Sequence, residues 1–358
     1  MSWIIAFLGF AALVVLHEAG HFAAAKAVGM RVEKFSLFFG PMLASFRRGE
    51  TVYGVGPIPL GGYVKITGMN PAEEIPPEHA HRAYYRQPVW KRIVVIVAGP
   101  LVNIVLAFVI LWALYWSNGL TEATRQVERV QSGTPAAGAL RSGDTLVAVD
   151  GQRGGFEELR ALIGSHTCDA DPPTDGCAAA TPARVTVERG GREKTFSLRP
   201  VYDTRARQTI VGFSPGTVHR DLGAFSAAEF TLDRMWFVTS ETARILSRIF
   251  EKEEREQISG VVGSYETTRQ SVELGAVQVL FILSLISLSL GVINLLPFLP
   301  LDGGHIFWAL AEKVRGRPIP FRMMERASVV GICLVGILFF IGLQNDVGRL
   351  TGEGFGLR

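Results

Sequence analysis

Cysteine is scarce in this 358-residue chain. The three present form no C-x-x-C pair, which excludes a zinc knuckle and a disulfide-dense small fold. Cys168 and Cys177 flank a polar loop and can form one local bridge, while Cys333 lies in an apolar run. Net charge is only +3, too small an excess to argue for nucleic acid. Charge is absent from the first sixteen residues. Without Lys or Arg there, the segment lacks the n-region of a signal peptide, and it reads as a retained helix.

What the chain has in abundance is apolar length. Hydrophobic residues make up 48% of it, too many for an ordinary soluble protein of this size. Four stretches reach the ~20 apolar residues that hydrocarbon requires. They run over about 2–25, 92–116, 276–297 and 327–343, the second ending in an interfacial belt of Trp112, Tyr115 and Trp116. Residues 31–92 carry nine Lys/Arg against five Asp/Glu, and 303–326 carry five against two. Residues 117–275 carry 19 against 22. Positive charge favours the cytoplasm, so the first two loops are expected inside and the long third loop outside. An extracytoplasmic loop also suits a Cys168–Cys177 bridge.

The apolar opening is interrupted by His17-Glu18-Ala19-Gly20-His21. Residues four apart share a helix face, so both imidazoles can reach one metal ion. Glu18, beside the first ligand, can act on a water at that ion. A surface cluster or a proton relay would use the same residue types, but ionisable groups at membrane depth are costly and usually functional. The third apolar stretch ends in Asn294-Leu295-Leu296-Pro297-Phe298-Leu299-Pro300-Leu301-Asp302-Gly303-Gly304-His305. Asp302 can cap a following helix or serve as a third ligand, completing with His17 and His21 a tetrahedral hydrolytic zinc site. Asn103 and Asn294 either bond between helices or contact substrate backbone or an oxyanion.

Between the first two apolar stretches, residues 31–69 are not loop-like throughout. Residues 34–40 and 51–55 read as short strands. The run Gly56-Pro57-Ile58-Pro59-Leu60-Gly61-Gly62-Tyr63-Val64-Lys65 stays apolar while its Gly and Pro break any helix. A β-hairpin or loop dipping into the membrane, or a small cytoplasmic β-subdomain, would account for it. Gly54, Val55, Gly61, Gly62 and Tyr63 are candidates for an accessible edge that holds substrate.

Residues 124–200 form a separate module of short strands, a helix over 156–163 and a hairpin around Gly190-Gly191. The run Thr134-Pro135-Ala136-Ala137-Gly138-Ala139-Leu140-Arg141-Ser142-Gly143-Asp144 resembles bacterial protease PDZ domains, which bind a chain end by strand addition or filter substrates by size. Residues 201–275 read as an amphipathic helical connector at the outer membrane surface, with Phe237, Ala243, Ile245, Leu246, Ile249 and Phe250 at helical spacing and a mixed-charge run over 251–256.

These motifs together resemble the site-2 proteases, intramembrane zinc metalloproteases of the RseP type. The resemblance rests on the His17-to-His21 motif, on Gly99-Pro100-Leu101-Val102-Asn103 preceded by Pro88 and Arg92, on Asn294-Leu295-Leu296-Pro297 and on Leu301-Asp302-Gly303-Gly304-His305. It implies a membrane α-helical fold of four transmembrane helices with a membrane-associated β-loop and an inserted extracytoplasmic PDZ-like α+β domain. Its parts are two membrane halves, 1–116 and 276–358, with the module and connector between them. It implies one zinc ion on His17, His21 and Asp302, with Glu18 as catalytic base. It also implies a bacterial inner-membrane, multi-pass enzyme that acts on single-span proteins such as anti-sigma factors and on remnant signal peptides. Some RseP-type enzymes carry two tandem PDZ domains, whereas this chain has room for one. A metal transporter or an inactive membrane scaffold are the competing readings. The first would need no Glu18 and usually shows an internal repeat, absent here; the intact Glu18 argues against the second.

Overall fold

The computed structural model describes residues 2–70, 73–170, 173–204, 206, 208–249, 251, 255 and 258–352. Asp171 and Pro172 of the cysteine loop, Phe250, most of the 251–256 charge run and the last six residues lie outside the described residues. Two compact units emerge, one of Met1–Ser117 with Gly223–Arg358, the other of Asn118–Leu222.

In chain order the first unit begins with α1 (Ser2–Ala27), β1 (Val32–Phe39), β2 (Ala44–Arg48), β3 (Thr51–Val55), β4 (Ile58–Ile66) and α2 (Val89–Asn118). The second unit holds β5 (Leu120–Val130), β6 (Thr145–Val149), β7 (Gln152–Arg153), α3 (Phe156–Gly164), β8 (Ala183–Arg189), β9 (Arg192–Leu198), β10 (Val201–Asp203), β11 (Gln208–Ile210) and β12 (Phe213–Arg220). The chain then returns to the first unit through α4 (Ala224–Ser247), α5 (Val261–Leu274), α6 (Ala276–Asn294), α7 (Asp302–Arg315) and α8 (Phe321–Thr351).

Four of these helices, α1, α2, α6 and α8, are long and apolar enough to cross a membrane. On α8, Val329, Val330 and Phe340 point outward, as a lipid-facing helix requires. α6 stops at Asn294 because Pro297 cannot donate the backbone bond that another turn needs. α8 runs eight residues beyond the 343 limit that hydropathy suggests. Its polar Asn345 and Asp346 find partners: Asn345 donates to the carbonyls of Arg255 and Ile258, and buried Asp346 accepts from the Ser259 hydroxyl and the amides of Gly260 and Gly263. A carboxylate that caps the start of α5 is satisfied without water, so the helix need not end there.

The 31–69 segment forms a four-stranded sheet ordered β2-β3-β1-β4. β1 and β3 are parallel, and the outer pairings are antiparallel. The Gly- and Pro-containing run that reads as a loop or hairpin is thus mostly a strand, β4, on one edge. The sheet packs on the end of α1, where Phe22 meets Phe35 and Tyr53 edge-on. Behind it, Ala25, Met30, Val32, Ile66, Tyr84, Val95 and Ile96 form one buried cluster. In the turn after β2, Glu50 takes hydrogen bonds from Arg82 and Lys26. The Arg82 guanidinium, with Lys26, holds the Glu50 carboxyl down at about 2, against the opposing pull of partial burial.

The second unit has a sheet ordered β12-β5-β6-β8-β9, with β7 beside β6 and a separate β10-β11 ribbon. Its core gathers Val127, Leu146, Val149, Leu159, Ile163, Val185 and Val187. Gly190 and Gly191, both at positive φ, close the β8–β9 hairpin. Cys168 and Cys177 are joined in a disulfide. β10, β11 and β12 are strands of this unit, so the stretch read as the start of a helical connector is helical only from Ala224. The sequence misleads there because β10 and β11 are short and polar, whereas the apolar periodicity belongs to α4.

Candidate metal centre

The H-E-x-x-H stretch lies in the last turns of α1, and one helical turn separates His17 from His21. Asp302 opens α7 after a Pro-rich turn, where an acidic side chain also complements the helix dipole. The two ends of the chain meet here. Nε2 of His21 lies 3.2 Å from Nε2 of His17, and each Nε2 lies 3.3 Å from Oδ2 of Asp302. Both histidines are 8% exposed.

This convergence is one that a cation explains. Nδ1 of His21 donates to the Val95 carbonyl at 2.8 Å, which in the neutral ring leaves Nε2 with a lone pair. Among the described residues, Asp302 Oδ2 is buried without a well-formed hydrogen bond. Lone-pair atoms packed together in an apolar bundle repel unless a positive charge sits among them. Tetrahedral zinc with bonds of ~2.0–2.1 Å holds its ligand atoms about 3.3 Å apart, the spacing seen here. Two imidazoles and a carboxylate leave one coordination position open, the pattern of a catalytic site rather than a structural one.

Glu18 faces the same cavity, of about 320 Å³. β4 passes beside its carboxylate, and Val64 of that strand lines the same cavity. Gly62 allows this approach: a Cβ there would lie 3.1 Å from Cγ of Glu18. On the other side, Gly99 of α2 faces the His21 ring so closely that a methyl group would overlap its Nε2. α2 thus orients His21 with the Val95 carbonyl and makes room for it with Gly99.

Gly62, Tyr63 and Asn294 line the cavity, and Gly61 precedes the first two on the free edge strand. Gly54 and Val55 do not line it. They belong to β3, paired with β2 on one side and β1 on the other, so they offer no open edge. Sequence alone could not separate them from the edge residues, because strand order is not written in strand propensity. Asn103 is fully buried in α2 and is also outside the cavity lining; its side-chain amide has no hydrogen-bond partner among the described residues. His305, Phe39, Val64 and Pro300 line the cavity without having been singled out. For His305 a signal existed, since it lies three residues after Asp302 and so on the same helix face.

A family model described as Peptidase family M50 matches residues 5–338. Among similar proteins, zinc metalloprotease Rip1 of Mycobacterium tuberculosis is 34% identical over 348 residues, covering 84% of this chain and 83% of its own. A chain of Mesorhizobium japonicum, provisionally named a zinc metalloprotease, is 31% identical over 366 residues, covering 94% and 95%. One of Clostridium acetobutylicum with the same provisional description is 26% identical over 345 residues, covering 96% of each.

The close contact of Gly99 with His21 predicts that Gly99→Ala displaces the imidazole. Zinc affinity, measured by chelator competition on the purified protein, should fall by about tenfold or more, while helix content is retained. Unchanged affinity would mean that the ring has room to spare.

Proposed function

The chain belongs to peptidase family M50 and is a zinc metalloprotease with helices fit to span a membrane, and from that premise we propose that it cuts peptide bonds within the bilayer, in the spanning segments of single-span proteins. The observation that carries this reading is the position of the centre. His17, His21, Glu18 and Asp302 meet among helices apolar enough to span, where only a membrane-embedded substrate has ready access.

In this proposal His17, His21 and Asp302 hold one zinc ion and Glu18 is the catalytic base. Zinc, when bound, supplies a Lewis acid that polarises the scissile carbonyl and acidifies a water molecule. Glu18 accepts the proton of that water and passes it to the leaving amine. Asn294 contacts the substrate backbone from the cavity wall.

A helical substrate has its carbonyls already hydrogen-bonded and must unwind before it is cut. β4 is suited to receive the unwound segment as an added strand. The Leu37 carbonyl of β1 faces β3, where it accepts from the Gly56 amide, so Ser36 and its partner Tyr63 face each other and the amides of Gly62 and Val64 point off the sheet. Gly61 and Tyr63 complete this edge.

The membrane is the bacterial inner membrane, with loops 31–92 and 303–326 cytoplasmic and the second unit extracytoplasmic, as the charge asymmetry favours. Substrates are single-span proteins of the anti-sigma-factor kind and remnant signal peptides. The second unit is a PDZ-like module. In support, a cavity of about 340 Å³ lies between α3 and β11–β12, lined by Phe156, Arg160, Ile210 and Phe213. A peptide C-terminus fits such a groove, its apolar side chain on Phe156 and Phe213 and its carboxylate toward Arg160.

The assignment of Glu18 is tested by Glu18→Gln. Cleavage of a model spanning substrate should drop by about 100-fold or more with zinc content unchanged; full activity would remove Glu18 from the mechanism. The edge assignment is tested by cross-linking. Tyr63→Cys should form a disulfide with a cysteine placed near the scissile bond of the substrate, and Phe46→Cys, on the opposite edge of the sheet, should not. The reverse pattern would move the substrate to β2.

A further inference from the structure

Arg92 and Glu312 are 220 positions apart and meet as a two-point ion pair. Nη1 of Arg92 donates to Oε2 of Glu312 at 3.0 Å and Nη2 to Oε1 at 2.7 Å. The Arg92 side chain is 9% exposed. A charge this deeply desolvated persists only with its partner, and two parallel bonds fix orientation as well as distance.

The location of the pair gives it meaning. Glu312 lies on α7, ten residues beyond Asp302, about 15 Å along the same helix. Arg92 lies in the first turn of α2, and the steps 92, 95 and 99 follow one face of that helix. Val95 on this face orients His21, and Gly99 accommodates its ring. One face of α2 therefore holds the second histidine and, through Arg92, the far end of the helix that presents Asp302. Between these points Ile306 of α7 packs on the cluster that contains Tyr84, Val95 and Ile96, and Tyr84 lies within electrostatic reach of Arg92, Glu312 and Asp302. Among the described residues no well-formed hydrogen bond fixes Oδ2 of Asp302.

We infer that Arg92 and Glu312 are positioning residues for the third metal ligand: their ion pair clamps the far end of α7 to α2 and so sets where Asp302 stands relative to His17 and His21. The inference rests on the reading of Asp302 as a zinc ligand. An apolar contact would hold α7 near α2 but would let it slide or roll. The guanidinium fork removes both freedoms.

The test is a zinc-affinity cycle on the full-length purified protein, by chelator competition, with four proteins: parent, Glu312→Gln, Asp302→Ala and the double variant. Glu312→Gln alone should weaken zinc about tenfold, as loss of an outer-shell support does. In the Asp302→Ala background the same change should have no further effect, because the clamp acts through Asp302. A merely structural role would weaken zinc equally in both backgrounds and would overturn the inference, as would an unchanged affinity for Glu312→Gln. A parent that binds no zinc would instead overturn the reading of the site. If Glu312→Gln fails to fold, Arg92→Lys, which keeps the charge and loses the fork, takes its place in the cycle with the same expectations. The exchange of both charges, Arg92→Glu with Glu312→Arg, should recover zinc affinity to within about threefold of the parent on the same reasoning; no recovery beyond the single variants would count against the clamp.

Discussion

Two imidazole nitrogens and a carboxylate oxygen, each 3.2–3.3 Å from the others, sit among helices rich in apolar residues. Ionisable groups are expensive to bury, and three mutually facing lone-pair atoms are more so. The arrangement makes physical sense around a cation. Much of the first unit can be understood as the means of holding these atoms together when their own electrostatics would part them.

α2 contributes most to that task without supplying a ligand. Its Val95 carbonyl fixes the tautomer and plane of His21, Gly99 clears the space for the ring, and Arg92 grips the helix that begins with Asp302. The sheet serves the opposite wall. β4 comes close to α1 beside Glu18, and Gly62 is what permits it. The proposed base thus lies beside the same strand whose free edge is proposed to hold the substrate. That economy couples substrate placement to proton transfer: a segment seated on β4 lies beside Glu18 by construction.

Much of this was legible in the sequence, for reasons that differ from part to part. Long apolar runs announce spanning helices because hydrocarbon imposes a length, and H-E-x-x-H announces a shared face because a helix has a fixed period. Both depend on local rules. The pairing order of the sheet depends on long-range contacts, so Gly54 and Val55 looked as accessible as Gly62 and Tyr63 while lying on an inner strand. The extension of α8 past Leu343 was hidden because Asp346 finds its partners 83 to 87 positions away. The strands over 201–220 were hidden by their brevity. The role of Gly99 was half visible: the Gly99-Pro100 motif marked the place, and only the His21 ring beside it gives the reason.

The roles given to α2, α7 and β4 all depend on His17, His21 and Asp302 together forming one zinc site. X-ray absorption at the zinc edge, on the purified protein and on Asp302→Ala, addresses it most directly. The expected result is a first shell of nitrogen and oxygen only, about four atoms at ~2.0–2.1 Å with the multiple-scattering signature of two imidazoles, and a changed or lost shell in Asp302→Ala. A sulfur ligand from Cys333, a single imidazole, or an Asp302→Ala spectrum identical to that of the parent would contradict it.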